Sequence, residues 1–321
     1  MPILNNMKIS KIVSIDNAKI LQDDKNILTS FCDSFVEYNS DPVSDEEVLH
    51  RISNAEVIIV NKYRLDDSII GKLNKTKLIC VFGSGFDFID IDAADKNGIV
   101  VANIPDYCTQ AVAEHVIGLL IASSRLYYKA VSELRAGIWD PHLYRGLELK
   151  GKTLGIIGYG RIGKRVSEIA RSGFDMNIIS IDSKSNRDEL EQLLSKSDYI
   201  SLHVPLNQNT KHLIARREFN LMKDGVVLVN TSRGAVIDTE ALVSNIKSKK
   251  IFAAGLDVFE REPIKIDDSL LSFNNVILTP HIGFKTMMSE TKISKILVDN
   301  IRAFISGRNL NIINHEDKYI I

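Results

Sequence analysis

Gly155-Ile156-Ile157-Gly158-Tyr159-Gly160-Arg161-Ile162-Gly163 lies near the middle of the chain, and its reading decides the fold. Lys152 to Ile157 supplies a short apolar run ending in glycines, Ile162 to Arg171 has helical spacing, and Asn177 to Ile181 predicts a second strand that ends at Asp182. Strand, GxGxxG, helix, strand and an acid about twenty residues on make a dinucleotide-binding βαβ unit. Gly158 permits the tight turn, Gly160 lets backbone approach a pyrophosphate, and Gly163 lets helix and strand pack closely. The unpaired N–H groups at the helix start favour an anion, and Arg161 adds a charged donor at the mouth. Asp182 would accept hydrogen bonds from ribose hydroxyls and repel a 2′-phosphate, which favours NAD; Lys184 and Arg187 leave some use of NADP open.

Outward from this unit, the first hundred residues alternate short apolar runs with helical stretches. Ile9 to Ile15, Val57 to Val60, Leu78 to Val81 and Ile99 to Val101 have the continuous apolar character of strands buried on both faces. Ser44 to Leu49 opens a helix with a capping-box pattern, and Asp66 to Leu73 has helical spacing. Thr109 to Arg125 predicts a long helix, apolar around most of its circumference, as for one buried between domains or at a subunit interface. After the glycine unit the pattern predicts helices at Arg187–Ser195, Arg216–Met222 and Thr239–Lys247. Strands are predicted at Tyr199–His203, Val226–Asn230, Phe252–Leu256 and Val276–Leu278. The expected fold class is α/β, with doubly wound parallel sheets. A last helix, Ile293 to Ile305, would return to the N-terminal domain, and the tail Asn309 to Ile321 is too short for a domain of its own.

The bulk properties exclude several classes. At 321 residues, 45% hydrophobic and with a formal net charge of −1, the chain has the length of about two domains and no clustered basic excess for nucleic acid. Its longest basic run, Lys247 to Lys250, is broken by a serine and reads as a solvated helix end. Cys32, Cys80 and Cys108 are scattered, with no metal-ligand spacing, so neither a disulfide framework nor a metal site is expected. The start, Met1 to Asn6, lacks a basic segment followed by an apolar core, and no run approaches the ~18 apolar residues that span a bilayer. A cytoplasmic protein without membrane contact is expected.

Three later segments carry reactive side chains at strand ends, where open α/β sheets place their sites. They are Asn230-Thr231-Ser232-Arg233-Gly234, Asp257-Val258-Phe259-Glu260-Arg261-Glu262-Pro263 and Thr279-Pro280-His281-Ile282-Gly283. A guanidinium such as that of Arg233 suits bidentate capture of a carboxylate. Reduction of a ketone needs a proton at oxygen as hydride reaches carbon, and the imidazole of His281 is the natural donor near neutral pH. A carboxylate beside it would orient the ring; Glu262 and Glu260 are both candidates.

Taken in order, these segments and the glycine motif resemble the D-isomer-specific 2-hydroxyacid dehydrogenase family over nearly the whole chain. The resemblance implies that Arg233, Glu262 and His281 are catalytic. It also implies that Gly83-Ser84-Gly85-Phe86-Asp87 is the substrate-carboxylate loop, with Ser84, Gly85 and Arg233 binding substrate. Arg161 and Ile162 would touch the pyrophosphate, His203, Val204, Pro205 and Thr210 the adenosine side, and Thr231, Ser232, Asp257 and Gly283 the nicotinamide side.

The implied architecture is a Rossmann NAD domain, residues 103–285, inserted in a flavodoxin-like substrate domain formed by 1–102 plus 286–321, and a homodimer built largely through the cofactor domain. Asn61-Lys62, Pro105-Asp106-Tyr107 and Trp139 look most like glycerate dehydrogenases, also called hydroxypyruvate reductases, and overlap with phosphoglycerate dehydrogenases. The expected substrate is therefore hydroxypyruvate/D-glycerate or 3-phosphoglycerate. With an end at Ile321 the C-terminal regulatory domain of long phosphoglycerate enzymes is not expected, and short forms without it exist. Phe86 and Phe88 in the carboxylate loop, and Phe284-Lys285 after the histidine, depart from the family's usual pattern and would reshape a small-substrate pocket. The alternative function is an NAD(H)-sensing, corepressor-like binding protein on the same fold.

Overall fold

The computed structural model describes residues 8–314, so the readings of Met1–Asn6 and of the tail past residue 314 fall outside the described residues. The chain divides into two compact units, one holding the described parts of Met1–Tyr107 and Thr286–Ile321, the other Cys108–Lys285.

In the first unit the order is β1 (Ile9–Ser14), α1 (Gln22–Ser30), β2 (Cys32–Glu37), α2 (Asp45–Arg51), β3 (Val57–Val60), α3 (Asp67–Ile70), β4 (Leu78–Val81), α4 (Ile91–Lys96) and β5 (Val100–Ala102). The strands form a parallel sheet in the order β2-β1-β3-β4-β5, the flavodoxin-like arrangement. Every residue of β3 and β4 is buried, as their unbroken apolar character requires. The sequence pattern did not single out β2: Cys-Asp-Ser-Phe-Val-Glu is an edge strand with only Cys32 buried. Helical spacing from Asp66 to Leu73 yields only Asp67–Ile70, capped by the Asp66 side chain at the Ser68 N–H and ended at Gly71. The crevice between the ends of β1 and β3 is filled by Asp16. Its buried carboxylate accepts from the N–H groups of Asn61 (2.8 Å), Lys62 (2.8 Å) and Tyr63 (3.0 Å).

In the second unit α5 (Thr109–Ser124) and α6 (Tyr127–Arg135) precede β6 (Thr153–Ile157), α7 (Arg161–Phe174), β7 (Asn177–Ile181), α8 (Arg187–Lys196) and β8 (Tyr199–Leu202). Then come α9 (Arg216–Leu221), β9 (Val226–Asn230), α10 (Thr239–Lys247), β10 (Ile251–Leu256) and β11 (Val276–Leu278). The parallel sheet runs β11-β10-β9-β8-β6-β7. β7 and β8 lie on opposite sides of β6, so the winding reverses at β6, and the crevice of such a sheet opens at that strand's C-terminal end. The glycine turn sits there. Helix α5 is apolar nearly all round because it packs on β9, β10 and β11 of its own sheet and also on α7. Its Leu119 approaches so closely that a Cβ at Gly255 would lie 2.9 Å from the Leu119 Cβ. Fully buried side chains such as Val116 and Leu120 each contribute roughly 1.5–3 kcal/mol relative to exposure.

The last helix, α11 (Met287–Ile305), belongs to the first unit and starts at Met287 rather than Ile293, because Thr286 caps it by accepting from the Ser289 N–H at 3.2 Å. Ser294 Oγ accepts from the Leu21 N–H (3.1 Å), and Asn300 donates to the Asn103 carbonyl (2.8 Å). The Asn103 N–H goes to the Asn311 carbonyl (3.1 Å), and that of Ile104 to the Gly83 carbonyl (2.8 Å). These bonds hold the segment after β5 in the first unit, so the boundary falls after Tyr107 and not at the expected crossing at residue 103. Among the described residues no helix is long and apolar enough to cross a membrane.

Candidate active site

The glycine turn begins from steric necessity. Gly158 has φ +102°, and a Cβ there would come within 2.6 Å of the His203 carbonyl. A Cβ on Gly163 would overlap the Gly158 carbonyl oxygen. Gly160 differs from both: nothing lies within 4 Å of where its Cβ would be. The N–H groups of Gly158 and Tyr159 donate to the Ile181 carbonyl (2.9 and 3.0 Å), which ties the turn to the strand that leads into Asp182. Arg161 and Ile162 open α7, whose first-turn N–H groups need partners from outside the helix. Asp182 is exposed and accepts from the Lys184 N–H at 2.9 Å.

His203 and Val204 form the peptide against which Gly158 packs. Burial pushes the His203 imidazole down to about 3, so the ring is neutral, and its Nε2 pairs with Ser201 Oγ at 2.9 Å. The Thr210 hydroxyl donates to the Pro205 carbonyl at 2.6 Å, so it braces its own loop. The Ser232 hydroxyl likewise donates to Asn230 Oδ1 at 2.8 Å. Thr231 Oγ1 is shut off from solvent with no hydrogen-bond partner, a costly state unless a ligand completes it. Open space over Gly160, an uncapped helix start and the orphaned Thr231 hydroxyl all fit a bound dinucleotide.

The loops after β9, β10 and β11 converge. Gly234, directly after Arg233, lies so close to the Phe259–Glu260 peptide that a Cβ would overlap the Phe259 carbonyl. Asn230 fixes the first loop by donating to the Arg233 carbonyl (2.9 Å) and accepting from the Ser232 N–H (3.0 Å). Arg233 Nη1 donates to the Ser232 carbonyl at 2.9 Å. Glu262 accepts from the Phe259 N–H at 3.0 Å, and its other oxygen lies 2.7 Å from His281 Nδ1.

Burial alone would raise the Glu262 carboxyl, but the His281 hydrogen bond and charge, the Phe259 N–H and the Arg233 charge outweigh it and hold the group below its ordinary value. An ionised carboxylate can only accept, so His281 Nδ1 carries the proton of that bond and Nε2 is left for chemistry. Of the two glutamates open in the sequence, Glu262 is the partner. Glu260 instead bonds His212 Nε2 and Thr239 Oγ1, each at 2.8 Å.

Asp257 holds the His281 loop. Its carbonyl accepts from the His281 N–H (2.9 Å), Oδ1 from the Ile282 N–H (2.9 Å) and Oδ2 from the Gly283 N–H (2.7 Å). Three successive backbone donors therefore end on one residue, and His281 sits at φ +53° between them. That left-handed backbone costs about 1 kcal/mol or more for a residue with a Cβ and persists only where its surroundings dictate it. Burial would raise the Asp257 carboxyl, yet hydrogen bonds from His115, Thr279, Ile282 and Gly283 hold it low. Oδ2 is thus engaged with the Gly283 N–H, and Oδ1 with the Ile282 N–H and the Thr279 hydroxyl; for Asp257 and Gly283 the resemblance implied contacts to nicotinamide.

The sequence reading missed His115 here. It lies on α5 with Nε2 3.1 Å from Thr279 Oγ1 and 3.4 Å from Asp257 Oδ1. The available signal was a polar residue on the stripe Ala111, His115, Leu119, Ser123 of an otherwise apolar helix. Ser84 and Gly85 belong to the first unit, at the end of β4. Ser84 is exposed there, and its carbonyl accepts from Asn103 Nδ2 at 2.8 Å.

With this geometry in hand, comparison with known proteins is informative. A family profile described as "D-isomer specific 2-hydroxyacid dehydrogenase, NAD binding domain" matches residues 117–283. A D-3-phosphoglycerate dehydrogenase of Methanocaldococcus jannaschii is 40% identical over 277 residues, covering 83% of this chain and 52% of that protein. The chain therefore spans about half the length of that relative. A hydroxypyruvate reductase of Thermotoga maritima is 40% identical over 276 residues, covering 83% of this chain and 90% of that protein. The solved structure of an acyclic imino acid reductase in complex with NADPH and D-Arg is 33% identical, with a TM-score of 0.87 over 94% of this chain and 99% of its own.

Proposed function

This chain belongs to the D-isomer specific 2-hydroxyacid dehydrogenase family, and from that premise we propose that it is an NAD-dependent reductase of a 2-oxo acid to the D-2-hydroxy acid. The observation that carries the reading is the 2.7 Å pair of His281 Nδ1 and Glu262, on a loop neighbouring that of Arg233. The glycine turn at Gly160 and the Thr231 hydroxyl would hold NADH, which would supply the hydride for C2 of the substrate. Arg233 binds the substrate carboxylate and polarises the ketone. His281 gives the Nε2 proton to the carbonyl oxygen and ends neutral, while the ionised Glu262 holds the ring through Nδ1. In the reverse direction the neutral Nε2 takes the hydroxyl proton.

Between the two substrate classes we favour hydroxypyruvate over a phosphorylated acid. Lys62, a cation that could otherwise meet a phosphate, is paired with Asp41 at 2.8 Å. Purified protein with NADH and a panel of hydroxypyruvate, glyoxylate, pyruvate and phosphohydroxypyruvate is expected to lose the cofactor's absorbance fastest with hydroxypyruvate. Silence across that panel and longer branched 2-oxo acids would remove the enzyme reading, and NADH binding without turnover would favour the redox-sensing one. The same assay with NADPH tests Asp182: Asp182→Ala should narrow the preference for NADH, and an unchanged ratio would take that role away.

The homodimer is assigned to α6. Tyr127, Val131 and Leu134 follow helical spacing along it, and they are exposed together with Ile138 and Trp139 just past its end, Trp139 to 84%. A contiguous exposed apolar stripe is a candidate interface, and a second copy of the chain is the proposed occupant. Sedimentation equilibrium should give twice the chain mass, falling to one chain mass in Leu134→Glu; a wild-type monomer would dismiss the assignment.

A further inference from the structure

We propose that His115 is a positioning residue for His281, acting through Thr279 and Asp257; the proposal rests on the reading of His281 as proton donor. The directions of the hydrogen bonds follow from elimination. Asp257 is ionised and can only accept, so the single Thr279 hydroxyl proton goes to Asp257 Oδ1, at 2.6 Å. The Thr279 oxygen is then left as an acceptor towards α5, and the atom 3.1 Å from it is His115 Nε2, which must carry a proton. The chain of donors runs His115 to Thr279 to Asp257, and it ends where Asp257 gathers the N–H groups of Ile282 and Gly283.

Packing fixes His115 at that point. Leu119 and Ser123 lie over Gly255. Four residues back along α5 is about 6 Å, and two residues onward along β10 is about 6.6 Å. The turn that puts Leu119 on Gly255 therefore brings His115 to Asp257. A Cβ on Gly283 would sit 3.2 Å from His115 Cδ2, so the ring also forms the floor beneath the loop. The His115 side chain is 21% exposed, and that of Asp257 only 2%. Without the imidazole the Thr279 hydroxyl is free to turn, and Asp257 loses a donor on the oxygen that holds Ile282. His281 stands in a left-handed backbone that these bonds help to hold, and small displacements of a reacting group cost up to about 10²-fold in rate.

Two measurements decide the matter. Hydrogen exchange needs no substrate: the Ile282 and Gly283 amides should exchange about tenfold faster in His115→Leu, with His115→Gln, whose amide N–H reaches similarly, close to wild type. In NADH-linked turnover of hydroxypyruvate, or of whichever panel acid is reduced, His115→Leu should lower kcat about 10- to 100-fold and leave KM for NADH within about threefold. In a His281→Ala background the same substitution should cost nothing further. Unchanged exchange, an equal defect in the Leu and Gln variants, or the same fold-loss with and without His281 would overturn the proposal. A wild-type protein inert towards every 2-oxo acid would sink the functional reading instead, and the exchange result would still judge the hydrogen-bond chain.

Discussion

His281→Ala is expected to lower turnover by about 10²- to 10⁴-fold, the usual contribution of a positioned general acid, while NADH affinity measured by fluorescence titration stays near the wild-type value. The separation follows from the geometry. The ring is spent on Glu262 through Nδ1 at 2.7 Å, and the loop's hold on Asp257 is made by backbone N–H groups that alanine keeps. A parallel loss of NADH affinity would show that the ring shapes the cofactor site instead. The pair has a defined acid limit. The folded Glu262 carboxyl is held below its ordinary value, so its contribution to stability is complete above the unfolded carboxyl's range of about 4.3. It is lost as pH falls through the lower, folded value.

The second large effect is on stability. Gly234→Ala should destabilise the second unit by about 3 kcal/mol and reduce turnover in whatever folded protein remains. The new Cβ would fall on the Phe259 carbonyl and the Glu260 nitrogen. Neither is the end of a flexible side chain, so backbone must move, and the two loops forced apart carry Arg233 and Glu262. Urea unfolding, followed by circular dichroism, is the measurement. A midpoint equal to that of the wild type would mean that the loops do not approach in solution as they do here.

Much of the fold was legible because both sheets are built from strands buried on two faces. Val57–Val60, Leu78–Val81 and Val226–Asn230 are continuous apolar runs, and periodicity finds them at their observed limits. The edge strand Cys32–Glu37 was not legible, since a half-exposed strand alternates with polar residues and resembles the loops around it. Helix α6 escaped for a related reason: none of its residues is buried, and its apolar stripe faces outward.

In the candidate site, Arg233 and His281 were singled out by side-chain chemistry at strand ends and by resemblance, and Glu262 over Glu260 by resemblance alone. His115 could not be found that way. Helical spacing says which face a residue shares but not what that face meets, and its partners Asp257 and Thr279 lie far along the chain. Glu260 shows the same limit, because two glutamates spaced two apart before a proline offer no local sign of which one reaches the histidine.

The three glycines of the turn answer to different masters. Two are demanded by the protein's own backbone, Gly158 by His203 and Gly163 by Gly158, while Gly160 faces empty space. Under mutational drift these constraints would part company. A descendant that no longer used a nucleotide would have to retain the outer pair in order to fold and would be free to lose the middle one. On the reading of Gly160 as the pyrophosphate contact, the residue at that central position would record whether a lineage still depends on its cofactor, long after the fold has ceased to tell.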